Sequence, residues 1–355
     1  MTASLTDQVS SSTQVEPHGS LRVVAIGGGT GLSTLLRGLK RYVASPTGSS
    51  LSASECGTAP WLISDLAAVV TVTDDGGSSG RLRNEMKILP PGDLRNCMVA
   101  LSEDEHLLSR LFQYRFDSGE GLEGHSFGNL FVAALSAVTG DFAEAVKLSS
   151  QILATRGHIF PATNTNVTLA ARMDDGSLVR GETNITASQR RIVELMLEPA
   201  QVSPLPQTLE SIRRADVITL GPGSLYTSLV TNLLVHGIPE AIANARGVRI
   251  FVCNLMTQAN ESVDLTASQH IERIYEHTQQ PVFDYALVNT SHVSEELMAR
   301  YKSEGSSPIE ADIARIEALG VKTIAGDFAF EGNVLRHNYD RVAEEILKLG
   351  FAGRR

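Results

Sequence analysis

No apolar stretch in the chain approaches the roughly 20 residues that a helix needs to cross a bilayer. The longest, residues 130–138, falls far short, which excludes a helical span. Cysteine is scarce: Cys56, Cys97 and Cys253 are odd in number and far apart. That spacing fits neither a disulfide framework nor a zinc site and implies reduced thiols. The first 20 residues, rich in Ser, Thr and Gln, lack the basic start and apolar centre of a secretion signal. They read as a disordered polar tail on a cytoplasmic protein. Positive charge is also in deficit, with a formal net charge of −10. Broad attraction to nucleic acid or anionic lipid is therefore disfavoured, and any anionic ligand must be held locally. Internal repeats and coiled-coil heptads are missing as well.

What is present is a chain of 355 residues, 42% hydrophobic, long enough for one large α/β domain or two modest ones. Its organising stretch is residues 21–36, LRVVAIGGGTGLSTLL. Val23, Val24, Ala25 and Ile26 lack polar alternation, as a strand covered on both faces does. Leu32, Leu35, Leu36 and Leu39 then share one helical stripe. Between them lies the turn of Gly27, Gly28, Gly29, Thr30 and Gly31. It reads either as a tight turn for close strand–helix packing or as a phosphate site at a helix N-terminus. The lysine that ends a Walker loop is missing, and Leu32 stands where GxGxxG needs its third glycine. A nucleotide diphosphate is favoured over ATP hydrolysis.

Farther along, residues 44–60 read as a surface insertion. A second buried strand, 66–73, runs into Asp74 and Asp75, placed either to accept ribose hydroxyls or to cap a glycine-rich turn. Arg81 follows, suited to surface solvation or to a bidentate phosphate contact. Asp93 is a candidate N-cap. Ser126 is placed to cap the apolar helix of 131–138, with His125 and Asn129 as candidate ligand-facing groups. Residues 152–199 read as a small β-rich flap, with strands at 158–161, 167–172 and 192–197 and a hairpin turn at Asp174-Asp175-Gly176. Strand and helix alternation then resumes. Strand 216–220 leads into Gly221, Pro222, Gly223 and Ser224; strand 248–253 leads into Asn254, Thr257 and Gln258; strand 285–288 leads into Asn289. Amphipathic stretches near Ile271 and Ile346 read as surface helices. The pattern predicts a Rossmann-like, doubly wound α/β fold with a mainly parallel sheet over residues 21–348 and a tail at 349–355.

From Val23 to about Leu347 the chain resembles the YvcK-type gluconeogenesis factors, relatives of the CofD phospholactate transferases. The resemblance is carried by GGGTGLS at Gly27, TDDGGSSGRLR at Thr73, PPGDLRN at Pro90, GHSFGNL at Gly124, GPGSLYTS at Gly221, CNLMTQ at Cys253 and LRHN at Leu335. It implies a UDP-sugar ligand such as UDP-N-acetylglucosamine, with Tyr301 and Arg336 at positions associated with its recognition. It also implies a regulatory role in central carbon metabolism, cell-wall synthesis and cell shape, with cell-wall synthesis proteins as candidate partners and no established turnover. The transferase branch shares the first glycine turn but typically carries NTGDD-like and PSNP motifs, which differ from the sequence here. The alternative is a phosphotransferase or nucleotidyltransferase acting on a phospholactyl nucleotide and a deazaflavin, with Asp74, Asp75 and Asp93 able to hold a divalent metal. An NAD-dependent dehydrogenase is a third reading that rests on fold pattern alone. A homodimer is expected from the prevalence of twofold association among soluble proteins.

Overall fold

Strands whose apolar residues do not alternate with polar ones need cover on both faces, and a parallel sheet between helix layers supplies it. In the computed structural model, which describes residues 19–43, 63–103, 107–188 and 190–354, this sheet forms the centre of the molecule. In chain order the strands are β1 (Leu21–Gly27), β2 (Ile63–Val70), β3 (His158–Pro161), β4 (Thr168–Met173), β5 (Leu178–Arg180), β6 (Ile192–Glu198), β7 (Val217–Leu220), β8 (Val248–Val252), β9 (Tyr285–Asn289), β10 (Lys322–Gly326), β11 (Ala329–Glu331) and β12 (Leu335–His337). The main sheet has the order β10-β9-β8-β7-β1-β2-β3, with every neighbouring pair parallel. The chain winds outward from β1 to β3, returns to β7 on the other side of β1, and winds outward again. The switch point therefore falls between β1 and β7, where an open α/β sheet leaves a crevice at the carboxyl ends of its strands.

Helix α1 (Gly29–Lys40) buries Leu32, Leu35, Leu36 and Leu39, the stripe read from the sequence. It packs beside α3 (Gly92–Leu101) and the C-terminal helix Tyr339–Gly353, while α2 (Gly77–Met86) follows the loop after β2. Two helices, α4 (Leu107–Gln113) and α5 (Phe127–Thr139), come next, and the Ser126 side chain accepts from Asn129 N at 3.3 Å to cap α5. A further helix, α6 (Phe142–Ile152), leads into β3.

Two assignments differ from the sequence expectation. Residues 158–161, assigned to the flap, form the edge strand of the main sheet, because they pair in parallel with Ala67 to Val70 of β2. The flap sheet is β5-β4-β6, antiparallel, with the hairpin turn at Asp174-Asp175-Gly176 as expected and a short helix α7 (Glu182–Ala187). Residues 349–353 are the end of a helix rather than a tail. Glycine is a poor helix former, but a Cβ on Gly350 would lie 2.4 Å from Val217 Cγ2, so a bare backbone is what lets this turn lie against the sheet. Arg354 then pairs with Asp216 at 2.9 Å.

The N-terminal tail up to residue 18, the 44–60 insertion and Cys56 lie outside the described residues. Cys97 and Cys253 are buried free thiols whose pKa values burial pushes up, that of Cys253 to about 12. Among the described residues no helix is long and apolar enough to cross a membrane.

Candidate functional site

At the switch point, the loops after β1, β7 and β8 and the β12 hairpin enclose a cleft of about 430 Å³. Gly28, Gly29, Thr30 and Gly31 form one wall; Gly223 and Ser224 face them; Asn254, Thr257 and Gln258 lie along the base, and Tyr301, Arg336 and His337 close the far side. Eleven of the residues singled out in the sequence therefore meet in one place: Gly28, Gly29, Thr30, Gly31, Gly223, Ser224, Asn254, Thr257, Gln258, Tyr301 and Arg336.

Close backbone approach holds the two glycine loops together. A Cβ on Gly31 would sit 2.3 Å from the carbonyl oxygen of Pro222, inside any tolerable contact. Asn254 clamps the second loop, its Oδ1 accepting from Gly223 N at 3.0 Å and its Nδ2 donating to the Gly223 carbonyl at 2.7 Å. Gln258 Nε2 donates to Ser224 Oγ at 2.8 Å. Thr257 is turned onto the next loop, where its hydroxyl accepts from Ser307 N at 2.9 Å. Beyond Ser224 the chain opens its helix with a π turn, in which Leu229 N bonds the Ser224 carbonyl at 3.0 Å. Glu261 Oε1 accepts from Tyr226 N and Thr227 N, both at 2.8 Å, and closes that helix end to a ligand. Glu261 has no precedent in any motif, so sequence alone gave no sign of it.

The N-terminus of α1 is divided. Asp93, in the first turn of α3, does not cap its own helix; its Oδ2 accepts from Gly29 N at 2.7 Å. Burial and the nearby Asp74 carboxylate push the Asp93 pKa up to about 6, against the opposing effect of the Gly29 hydrogen bond. Leu32 N reaches back to the Gly28 carbonyl. Helix geometry leaves Thr30 and Gly31 as the amides with no intrahelical acceptor, and both line the cleft.

On the far side, Tyr301 Oη accepts from Leu335 N at 3.0 Å and so fixes the start of β12. His337 Nε2 donates to the Cys253 carbonyl at 3.0 Å, and burial holds its pKa down at about 4, so the ring is neutral. Between them Arg336 is exposed, and its guanidinium makes no ion pair or hydrogen bond among the described residues, which leaves it for a ligand.

Other predicted residues stand outside the cleft. Gly27 and Gly221 shape its floor from behind: the Gly27 carbonyl accepts from Thr71 N and Asn232 Nδ2, and Gly221 N donates to the Ile26 carbonyl. Asp74 Oδ1 accepts from Gly76 N at 2.9 Å, the turn-capping role. Asp75 faces the flap, where its Oδ1 accepts from Thr183 N at 2.9 Å and Thr183 Oγ1 at 2.6 Å. Arg81 Nη2 donates to the Glu123 carbonyl at 2.6 Å. Asn129 is buried and donates to Ser78 Oγ at 3.1 Å, which in turn meets His125 Nδ1 at 2.9 Å. Asp74, Asp75 and Asp93 thus have separate partners, and among the described residues no three His, Cys, Asp or Glu side chains gather as a metal site. Glu182 completes this acidic region: burial, then Asp74 and Asp93, push its pKa up to about 9, so it is protonated at neutral pH. A larger cavity of about 640 Å³ lies along β3 and α6, away from both glycine loops. The smaller cleft is the candidate site because it collects the free helix amides and the unpaired guanidinium at the switch point.

A doubly wound parallel sheet with two glycine loops meeting at its switch point defines a Rossmann-like α/β protein. The family model described as 2-phospho-L-lactate transferase CofD matches residues 23–329, and the chain belongs to this family. Its relatives include the gluconeogenesis factor of Halalkalibacterium halodurans, 46% identical over 327 residues that cover 92% of this chain and 95% of that protein. The gluconeogenesis factor of Bacillus subtilis is 43% identical over 329 residues, covering 92% and 98%. A crystal structure of a UPF0052-family protein from Bacillus halodurans superposes with a TM-score of 0.84 at 45% identity, covering 92% of this chain and 99% of that one.

Proposed function

We propose that this protein is a gluconeogenesis factor of the regulatory kind, which binds a nucleotide sugar in the switch-point cleft and acts through that binding rather than through turnover. One observation carries the reading: Thr30 and Gly31 amides at a helix N-terminus and the unpaired guanidinium of Arg336 face one cleft. Helix amides and a guanidinium both suit a diphosphate. The Tyr301 ring offers an apolar face beside them for a sugar or base. Relatives named gluconeogenesis factors support a role in carbon metabolism. Action on cell-wall synthesis and cell shape, from the cytoplasm and as a homodimer, belongs to the same proposal.

The experiment is titration calorimetry with UDP-N-acetylglucosamine on purified protein, joined to mass spectrometry of any ligand that copurifies. Saturable one-site binding without consumption of the sugar nucleotide is the expected result. Absence of binding at millimolar ligand, or turnover of a phospholactyl nucleotide with a deazaflavin acceptor, overturns it.

A further inference from the structure

At the opposite end of α1 from the glycine turn lies a second cleft of about 490 Å³, bordered by Arg37, Lys40, Arg41, Arg110, Gln113 and Tyr339. Four cations facing one concavity is unusual for a chain whose formal net charge is −10. Like charges repel, so cations lining one cleft would be stabilised by an anion of multiple charge. Among the described residues Arg41 pairs with Asp340, and Lys40 Nζ donates to the Ser102 carbonyl at 3.0 Å. The guanidinium groups of Arg37, in the last turn of α1, and Arg110, in the last turn of α4, make neither an ion pair nor a hydrogen bond among the described residues.

We infer that this basic cleft is a second ligand site, which binds a small phosphorylated metabolite through the guanidinium groups of Arg37 and Arg110, with Arg41 and Lys40 adding charge. Planar guanidinium forks match phosphoryl oxygens bidentately, and Gln113 adds a neutral donor. The site is distinct from the switch-point cleft: at 1.5 Å per residue, the length of α1 separates the two by roughly 18 Å. The inference stands whether or not a nucleotide sugar binds at the first cleft.

Inorganic pyrophosphate is the probe, titrated by calorimetry into the full chain at two salt concentrations. Wild-type protein should bind it, more weakly at the higher salt. In the R336A background, where the first cleft's guanidinium no longer contributes, the double change R37S/R110S should weaken binding at least tenfold, the loss expected for a charged hydrogen bond to phosphate. Because both arginines are exposed, its melting temperature should stay that of the wild type. The variant R336A should leave a pyrophosphate site with this salt dependence. With R336A in the background, binding that R37S/R110S leaves unchanged overturns the assignment, as do loss of all binding in R336A alone and no binding at millimolar pyrophosphate. If poly-glutamate binds in a manner sensitive to R37S/R110S and pyrophosphate does not, the patch is a docking surface for an acidic protein and the metabolite site is rejected.

Discussion

Asp93 on α3 caps α1, its Oδ2 accepting from Gly29 N at 2.7 Å, so a protein carboxylate occupies part of the helix end that the glycine turn prepares for an anion. The carboxyl titrates at about 6 in the fold, against about 3.9 in an unfolded chain. The folded state therefore holds this proton more tightly. Its stabilising effect is complete below about pH 4 and is lost as pH rises through 6. Asp93→Asn keeps an acceptor for Gly29 N without the charge. At pH 8 it should raise stability by about 1–3 kcal/mol, and at pH 4 by nothing measurable. Urea unfolding at both pH values checks this; a variant less stable than wild type at pH 8 would contradict it.

Arg336 and Tyr301 separate by role. Arg336→Ala should cost about 1.5–3 kcal/mol of UDP-N-acetylglucosamine affinity, the value of a hydrogen bond to a charged group, and leave the melting temperature alone. Tyr301→Phe leaves Leu335 N without its acceptor, so it should lower stability by about 1 kcal/mol and affinity less than Arg336→Ala does. Calorimetry paired with thermal melts distinguishes them, and full affinity in the folded Arg336 variant would return that side chain to solvent.

Asp75 belongs to the flap. Asp75→Ala removes the acceptor for Thr183 N and Oγ1 and should speed hydrogen exchange over β4, α7 and β6, with UDP-N-acetylglucosamine affinity within about twofold of wild type. A tenfold affinity loss with an unchanged exchange pattern would restore the ribose contact suggested by the sequence.

Asp216 has the opposite pH behaviour to Asp93. Burial pushes its pKa up, but Arg22, at 2.8 Å from its backbone N and 3.0 Å from Nη2, and Arg354 together hold it below the usual carboxylate range. Its stabilisation is present above about pH 4 and lost as pH falls through the folded value. Asp216→Asn should cost about 1–3 kcal/mol at pH 7 and progressively less in acid. Melting curves from pH 7 to pH 3 that run parallel for the two proteins would rule out the charge as the cause.

Local chemistry was enough to determine the strand, turn and helix of residues 21–40, because a doubly buried strand, a run without Cβ atoms and a leucine stripe each have one low-energy outcome. The same holds for the hairpin at Gly176 and the ends of β7 and β8, whose polar loops were legible as walls of one crevice. Partnership across the chain was not legible. Asp93 reaches a residue 64 positions away, and Asp75 one 108 positions away. A carboxylate's sequence neighbours do not say which helix amide it will meet. Likewise β3 was readable as a strand but not as part of the main sheet, since the long helical crossover before it decides which edge it joins. Only the packed structure set Gly350 against Val217 and kept the last helix going, because that contact depends on the width of the sheet beneath it rather than on helix propensity.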